Sequence, residues 1–197
     1  MLTSIKGQLA VFDQDADTPL KKKLQDLLAI GCQQFGMEMG VFARVTGKDY
    51  TVMQVHNESS ANISAGDRFE LGSTFCMLVC ATRDTVCQAD VRNSEWSDHP
   101  AYRDSLLRAY FGTPITVNGE MFGTLDFSSS RPAPKACVAS VCKIIKILGG
   151  WLNDQLMKDP SSKHLCSEIC GNHRWLCSNP LPWCIHSKDQ PQPISWL

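Results

Sequence analysis

The chain has 197 residues, 43% of them hydrophobic, and a formal net charge of −1. That length fits one ordinary domain with an appendage, and the near-neutral balance gives no electrostatic reason to expect a nucleic acid or an anionic membrane as partner. No apolar run approaches the ~20 residues that span a bilayer, and residues 1–10 lack the apolar core of a signal peptide, so a cytoplasmic location is expected.

Residues 1–18 are set apart as an N-terminal extension. Residues 19–35 read as the first helix. Thr18 is a candidate N-cap and Pro19 a first helical residue. Leu20, Leu24, Leu27, Leu28 and Gly31 recur at helical spacing, with Lys21, Lys22 and Lys23 turned outward or sideways. Residues 39–45 and 50–56 read as a hairpin around Gly47-Lys48-Asp49. Val41, Ala43 and Val45 alternate in its first arm; Val52 and Gln54 oppose Met53 and Val55 in its second. The polar residues 57–67 are a connection. A short strand at 69–71, a short helix at 74–82 and a strand at 85–90 follow. Residues 93–108 are polar and run into a short helix that starts at His99-Pro100.

The next stretch is the most telling. Residues 109–128 read as two strands joined by Asn118-Gly119. A type I′ turn needs positive φ at both central residues, and Asn-Gly adopts it cheaply. Ile115, Val117, Met121, Leu125 and Phe127 give this hairpin one face to bury, which puts it mid-sheet in an antiparallel arrangement. Pro132 and Pro134 end the sheet. Residues 135–157 form the last helix, with Val138, Val141, Ile144, Ile145, Leu148, Leu152 and Leu156 in a stripe wide enough for the sheet on one side and a partner helix on the other. Gly149-Gly150 interrupts it at a cost of about 1 kcal/mol per glycine relative to alanine. From residue 158 to 197 periodicity ends in a Cys/Trp/Pro-rich tail, expected to be poorly ordered. The element order predicts an α+β fold with a central antiparallel sheet of five to six strands, terminal helices on one face and short helices and loops on the other.

The run YFGTPITVNGEMFGTLDFSS (110–129) resembles the last hairpin of GAF domains, the sensory modules of many signalling proteins. GDRFELGSTFC (66–76), ADVRNSEWSDHPAYRD (89–104) and ILGGWLNDQL (147–156) resemble, in order, further stretches of GAF modules in bacterial histidine kinases and their relatives. The resemblance implies a GAF domain over residues 19–157, with a pocket under the short segments. It also implies a noncatalytic sensor that binds a small molecule and passes the state through terminal helices, which mediate a homodimer. The ligand and any cofactor stay unidentified, because GAF domains bind cyclic nucleotides, tetrapyrroles, haem or small metabolites. The phosphoacceptor and ATP-binding motifs of a histidine kinase are absent, and so is a GGDEF signature.

The candidate pocket residues are Cys76, Asp98, His99, Tyr102, Arg103 and Tyr110. Asp98, His99, Tyr102 and Arg103 form a polar cluster at the head of a short helix, where orphan amides favour a carboxylate or phosphate. The competing reading is a surface helix with Asp98 as its cap and His99 solvated, and Arg108 is open to both. Cys76 and Cys80 share a helix face with Cys87 on the next strand, which makes a candidate thiol cluster. One GAF branch reduces free methionine-(R)-sulfoxide, and Cys76 resembles its VCG position. That chemistry needs a thiolate, a resolving thiol and a group that polarises the sulfoxide. The branch's further cysteine before the last hairpin is missing from residues 106–113. No Cys-His dipeptide and no phytochrome-type proline motif is present, so no covalent tetrapyrrole is expected. Cys32, Cys87, Cys137 and Cys142 are expected as reduced, packed thiols. His164, Cys166, Cys170, His173, Cys177, Cys184 and His186 in the tail are zinc-type ligands without a CxxC knuckle, and no metal is assigned. A pure dimerisation unit is the third alternative.

Overall fold

A computed structural model describes residues 2–59, 61–135 and 138–158; the tail's zinc-type residues and Cys137 lie outside them. Six strands form one antiparallel sheet: β1 (Met39–Thr46), β2 (Asp49–Asn57), β3 (Arg68–Glu70), β4 (Val86–Gln88), β5 (Ala109–Val117) and β6 (Glu120–Ser129), in the order β3–β2–β1–β6–β5–β4. The long helices α1 (Leu2–Gln14), α2 (Leu20–Phe35) and α5 (Val138–Lys158) share one hydrophobic cluster with one face of the sheet. The short helices α3 (Cys76–Thr82) and α4 (Pro100–Arg103) share a second cluster with the other face. Among the described residues no helix is long and apolar enough to cross a membrane.

The β5–β6 turn has φ of 52° at Asn118 and 81° at Gly119, as a type I′ hairpin requires. The hairpin is buried on both faces rather than one, because β6 lies between β1 and β5 with helices and loops over each side. Two β-bulges break the expected alternation. The register shifts opposite Phe42/Ala43 leave Met53 as an extra residue on β2, so Val52 and Val55 fall on the same side. A second shift at Ile115/Thr116 turns Met121 to the short-helix side. Phe122 then faces the long helices, stacked on Phe42 with ring centroids 5.7 Å apart. Asn153 of α5 braces this bulge: its Oδ1 accepts from the Thr116 N–H at 3.0 Å, and its Nδ2 donates to Thr116 Oγ1 at 3.3 Å.

The N-terminal extension is a packed helix. Ile5 and Leu9 are buried in the helix-side core, and Phe12 lies against Trp151 at 5.7 Å. The Asp13 carboxylate accepts hydrogen bonds from Trp151 Nε1 at 2.9 Å and Gln155 Nε2 at 2.8 Å. The expected partner for the broad α5 stripe is thus supplied in part by the same chain. Lys23 points inward, contrary to expectation: it is only 7% exposed, and its Nζ donates to the Phe12 carbonyl at 2.6 Å and to the Asp15 carbonyl. A buried ammonium at the C-terminal end of a helix satisfies orphan carbonyls and complements the helix dipole. Thr18 does not cap α2; Pro19 stands at the cap position, and the Thr18 N–H donates instead to Asp15 Oδ1 at 3.0 Å. A disulfide joins Cys87 on β4 to Cys142 on α5, so these two are not the free packed thiols the sequence suggested; Cys32 is a free, buried thiol.

Candidate functional site

A cavity of about 360 Å³ lies on the short-helix side of the sheet. Its volume is at the small end of the range for ligand pockets. Strands β1, β2, β5 and β6 supply its floor. The loop before β3, the start of α3, and α4 with the turn after it supply its walls. The walls are mostly apolar, with Ile63, Phe69, Phe75 and Leu107 among them.

The floor is polar and buried. Asp126 is 4% exposed, and its Oδ2 accepts from Tyr50 Oη at 3.3 Å, Cys76 Sγ at 3.3 Å and Thr124 Oγ1 at 3.2 Å. Tyr110 Oη donates in turn to Cys76 Sγ at 3.4 Å. These groups meet because residues 124, 126 and 128 alternate onto one face of β6, with Tyr50 and Tyr110 arriving from β2 and β5. Gly112 makes room for this: a Cβ there would stand 2.1 Å from Tyr110 Oη, so the tyrosine folds along its own strand over the bare backbone. Burial pushes the Asp126 carboxyl up to about 6, against the lowering effect of the donors on it. Burial, reinforced by the Asp126 charge, pushes the Cys76 thiol well above its ordinary range. The same two causes push Cys80 up to about 11.

The sequence-derived candidates separate into two groups. Cys76 and Tyr110 line the cavity; Asp98, His99, Tyr102 and Arg103 are not among its lining residues. Asp98 and Arg103 are exposed. His99, not Asp98, caps α4: its Nδ1 accepts from the Ala101 N–H at 3.1 Å. The imidazole is buried rather than solvated and stacks on Phe75 at 4.8 Å, so it supports the cavity wall from behind. Burial lowers its pKa from the ordinary 6.5. Tyr102 packs partly buried in the same cluster. Arg108 is taken up by Asp90, with Nη2 and Nε donating to the two carboxylate oxygens at 2.6 and 3.2 Å. The proposed thiol cluster does not assemble, because Cys87 is bonded to Cys142 across β4 and α5. Among the described residues no group of three or more His, Cys, Asp and Glu is placed to hold a metal. Tyr50, Asp126 and Ser128 are the floor residues that sequence reasoning missed; the signal was the Thr124-Asp126-Ser128 alternation in a strand whose other face carries Leu125 and Phe127.

This sheet, with long helices on one face and a roofed cavity on the other, carries a family signature. The GAF domain model matches residues 19–149. The chain belongs to the GAF family. Solved structures agree on the fold at low identity. The chromophore-binding domain of Stigmatella aurantiaca phytochrome P1 is similar with a TM-score of 0.61 and 11% identity, over 79% of this chain and 58% of that one. Free methionine-R-sulfoxide reductase from Neisseria meningitidis, solved with its substrate, is similar with a TM-score of 0.55 and 22% identity, over 79% of this chain and 89% of that one. The GAF domain of an Acinetobacter phosphoenolpyruvate-protein phosphotransferase is similar with a TM-score of 0.56 and 12% identity, over 78% and 96%. The chain therefore spans well under two thirds of the phytochrome domain's length. No curated protein matched the sequence.

Proposed function

We propose that this GAF domain is a noncatalytic sensor whose ligand occupies the cavity above Asp126. The observation that carries the reading is a buried carboxylate at the floor of a cavity whose walls are mostly apolar. A carboxyl in such a place is costly for the fold and useful for recognition. GAF domains commonly bind small molecules, and the phytochrome neighbour is by its description a chromophore-binding domain. Cys76 and Tyr110 belong to this site by direct lining; Asp98, His99, Tyr102 and Arg103 act behind or beside its wall. The ligand state passes from the floor strands to α2 and α5, which lie on the opposite face of the same sheet. Those helices, together with α1, are the route to a second copy and to a histidine kinase-type partner in the cytoplasm. Val11 at 62% and Met157 at 56% exposure are apolar residues on α1 and α5 available for it.

The thiol-enzyme reading is weaker. Sulfoxide reduction starts from a thiolate, and burial, reinforced by the adjacent Asp126 carboxylate, keeps Cys76 protonated. Native mass spectrometry of the purified chain, with thermal-shift screening against a metabolite extract, tests the sensor reading. The expected result is a low-mass noncovalent adduct, or a fraction of the extract that raises the melting temperature. A chain that is bare and unresponsive to every fraction supports the dimerisation-only alternative. Turnover of free methionine sulfoxide with a thiol reductant would restore the enzyme.

A further inference from the structure

We infer that the cavity takes an organic cation, a protonated amine or amidinium on an apolar body; this rests on reading the cavity as the ligand site. Among the described residues, the charged side chains lining the cavity are Asp104 and Asp126, both acids; no lysine, arginine or histidine faces it. The three protein donors converge on one oxygen of Asp126, Oδ2, and Oδ1 receives none of them. Two residues along the same strand face, Ser128 lines the same cavity at 2% exposure, and its Oγ finds no hydrogen-bond partner. Asp126 and Ser128 stand two residues apart on one face of β6, about 7 Å between their backbone positions; both line one space, and a buried polar atom without a partner is costly. An ammonium brings three donors and no acceptor, which suits such a pair. The aromatic rings of Tyr50, Phe75 and Tyr110 around the space favour a cation in addition. An anion meets the buried Asp126 carboxylate there, with the exposed Asp104 also among the lining residues. A zwitterionic amino acid finds no cationic side chain among the described lining residues for its own carboxylate.

Three matched probes test the charge class on the full chain labelled with ¹⁵N: 2-phenylethylammonium, 2-phenylethanol and 3-phenylpropionate. Each is titrated at pH 7.5 while the amide resonances of Tyr50, Tyr110 and Ser128 are followed. The amine is expected to bind at least tenfold tighter than the carboxylate, with the alcohol between them. In Asp126→Asn the amine's advantage over the alcohol should shrink to within twofold. Equal or tighter binding of the carboxylate to the unmodified chain overturns the cation inference and leaves the ligand-site reading standing. Silence from all three probes at cavity residues overturns both. The comparison within the unmodified chain decides the matter even if the variant folds poorly.

Discussion

Replacing Asp126 by asparagine should make the protein more stable at neutral pH and less so, relative to wild type, in acid. The carboxyl sits at about 6 in the fold against an ordinary 3.8. A difference of that size is worth about 3 kcal/mol. Between pH ~4 and ~6 the folded chain holds a proton that the unfolded chain has released, so wild-type stability falls as pH rises through this window. The burden is absent below pH ~4 and fully present above pH ~6. Asparagine cannot ionise and pays no such penalty, while its Oδ1 can still accept from Tyr50, Cys76 and Thr124. Other groups move the opposite way. Asp15, Glu38, Asp84 and Asp90 are held below the usual carboxylate range, and His99 is lowered by burial, so each adds stability as pH rises. Those contributions are common to both proteins and cancel in the difference. Urea unfolding of wild type and variant at pH 4, 5, 6, 7 and 8, extrapolated linearly to water, should show the variant gaining about 2–3 kcal/mol on wild type from the first pH to the last. A difference that is flat with pH, or that slopes toward wild type, would refute a buried, ionising carboxylate at this position.

Two helix glycines predict opposite outcomes. A Cβ at Gly31 would stand 2.3 Å from the Phe127 ring, so Gly31→Ala should destabilise by about 1–3 kcal/mol despite better helix propensity; at Gly150 nothing lies within 4 Å, so Gly150→Ala should stabilise by about 0.5–1 kcal/mol, both read from urea midpoints. Lys23→Met leaves the Phe12 and Asp15 carbonyls without their ammonium donor, and should cost about 1–3 kcal/mol with faster amide hydrogen exchange confined first to α1. The Cys87–Cys142 link spans 55 positions of sequence, so dithiothreitol should lower stability by up to about 4 kcal/mol, and Cys142→Ser should abolish that response.

The two hairpins were legible because their turns and alternation are local properties. Asn118-Gly119 takes the positive φ values that its sequence predicts, and the expected turn at Gly47 is made with a positive φ there as well. The bulges were not legible. Whether Met53 or Phe122 is the extra residue depends on the strand paired opposite, and a bulge reverses which neighbours share a face from that point on. Helix α1 was missed although Ile5, Leu9 and Phe12 recur at helical spacing. The reason is that its burial depends on Trp151 and the rest of α5, far along the chain. Lys23 was misplaced for the same cause: three consecutive lysines read as a solvated face until the end of α1 supplies carbonyls for one of them.

The site was legible by region and not by residue, and the difference is physical. Polar signals in a sequence favour groups such as Asp98, His99 and Arg103, clustered in a loop where charges cost little. In the fold those are solvated or serve as caps and wall supports. Asp126 stands instead in a central strand, where Thr124, Asp126 and Ser128 look like an ordinary solvent-facing edge of a half-buried hairpin. Once β1 and β5 flank β6 and short helices roof that face, the same three residues become a buried polar stripe. Packing alone would fill it with apolar side chains, since a carboxylate there costs the fold about 3 kcal/mol at neutral pH. Natural cores carry such a burden chiefly where recognition or chemistry needs it. The proposed sensing therefore turns on Asp126, while Asp98 and Arg103 stay exposed outside the cavity lining.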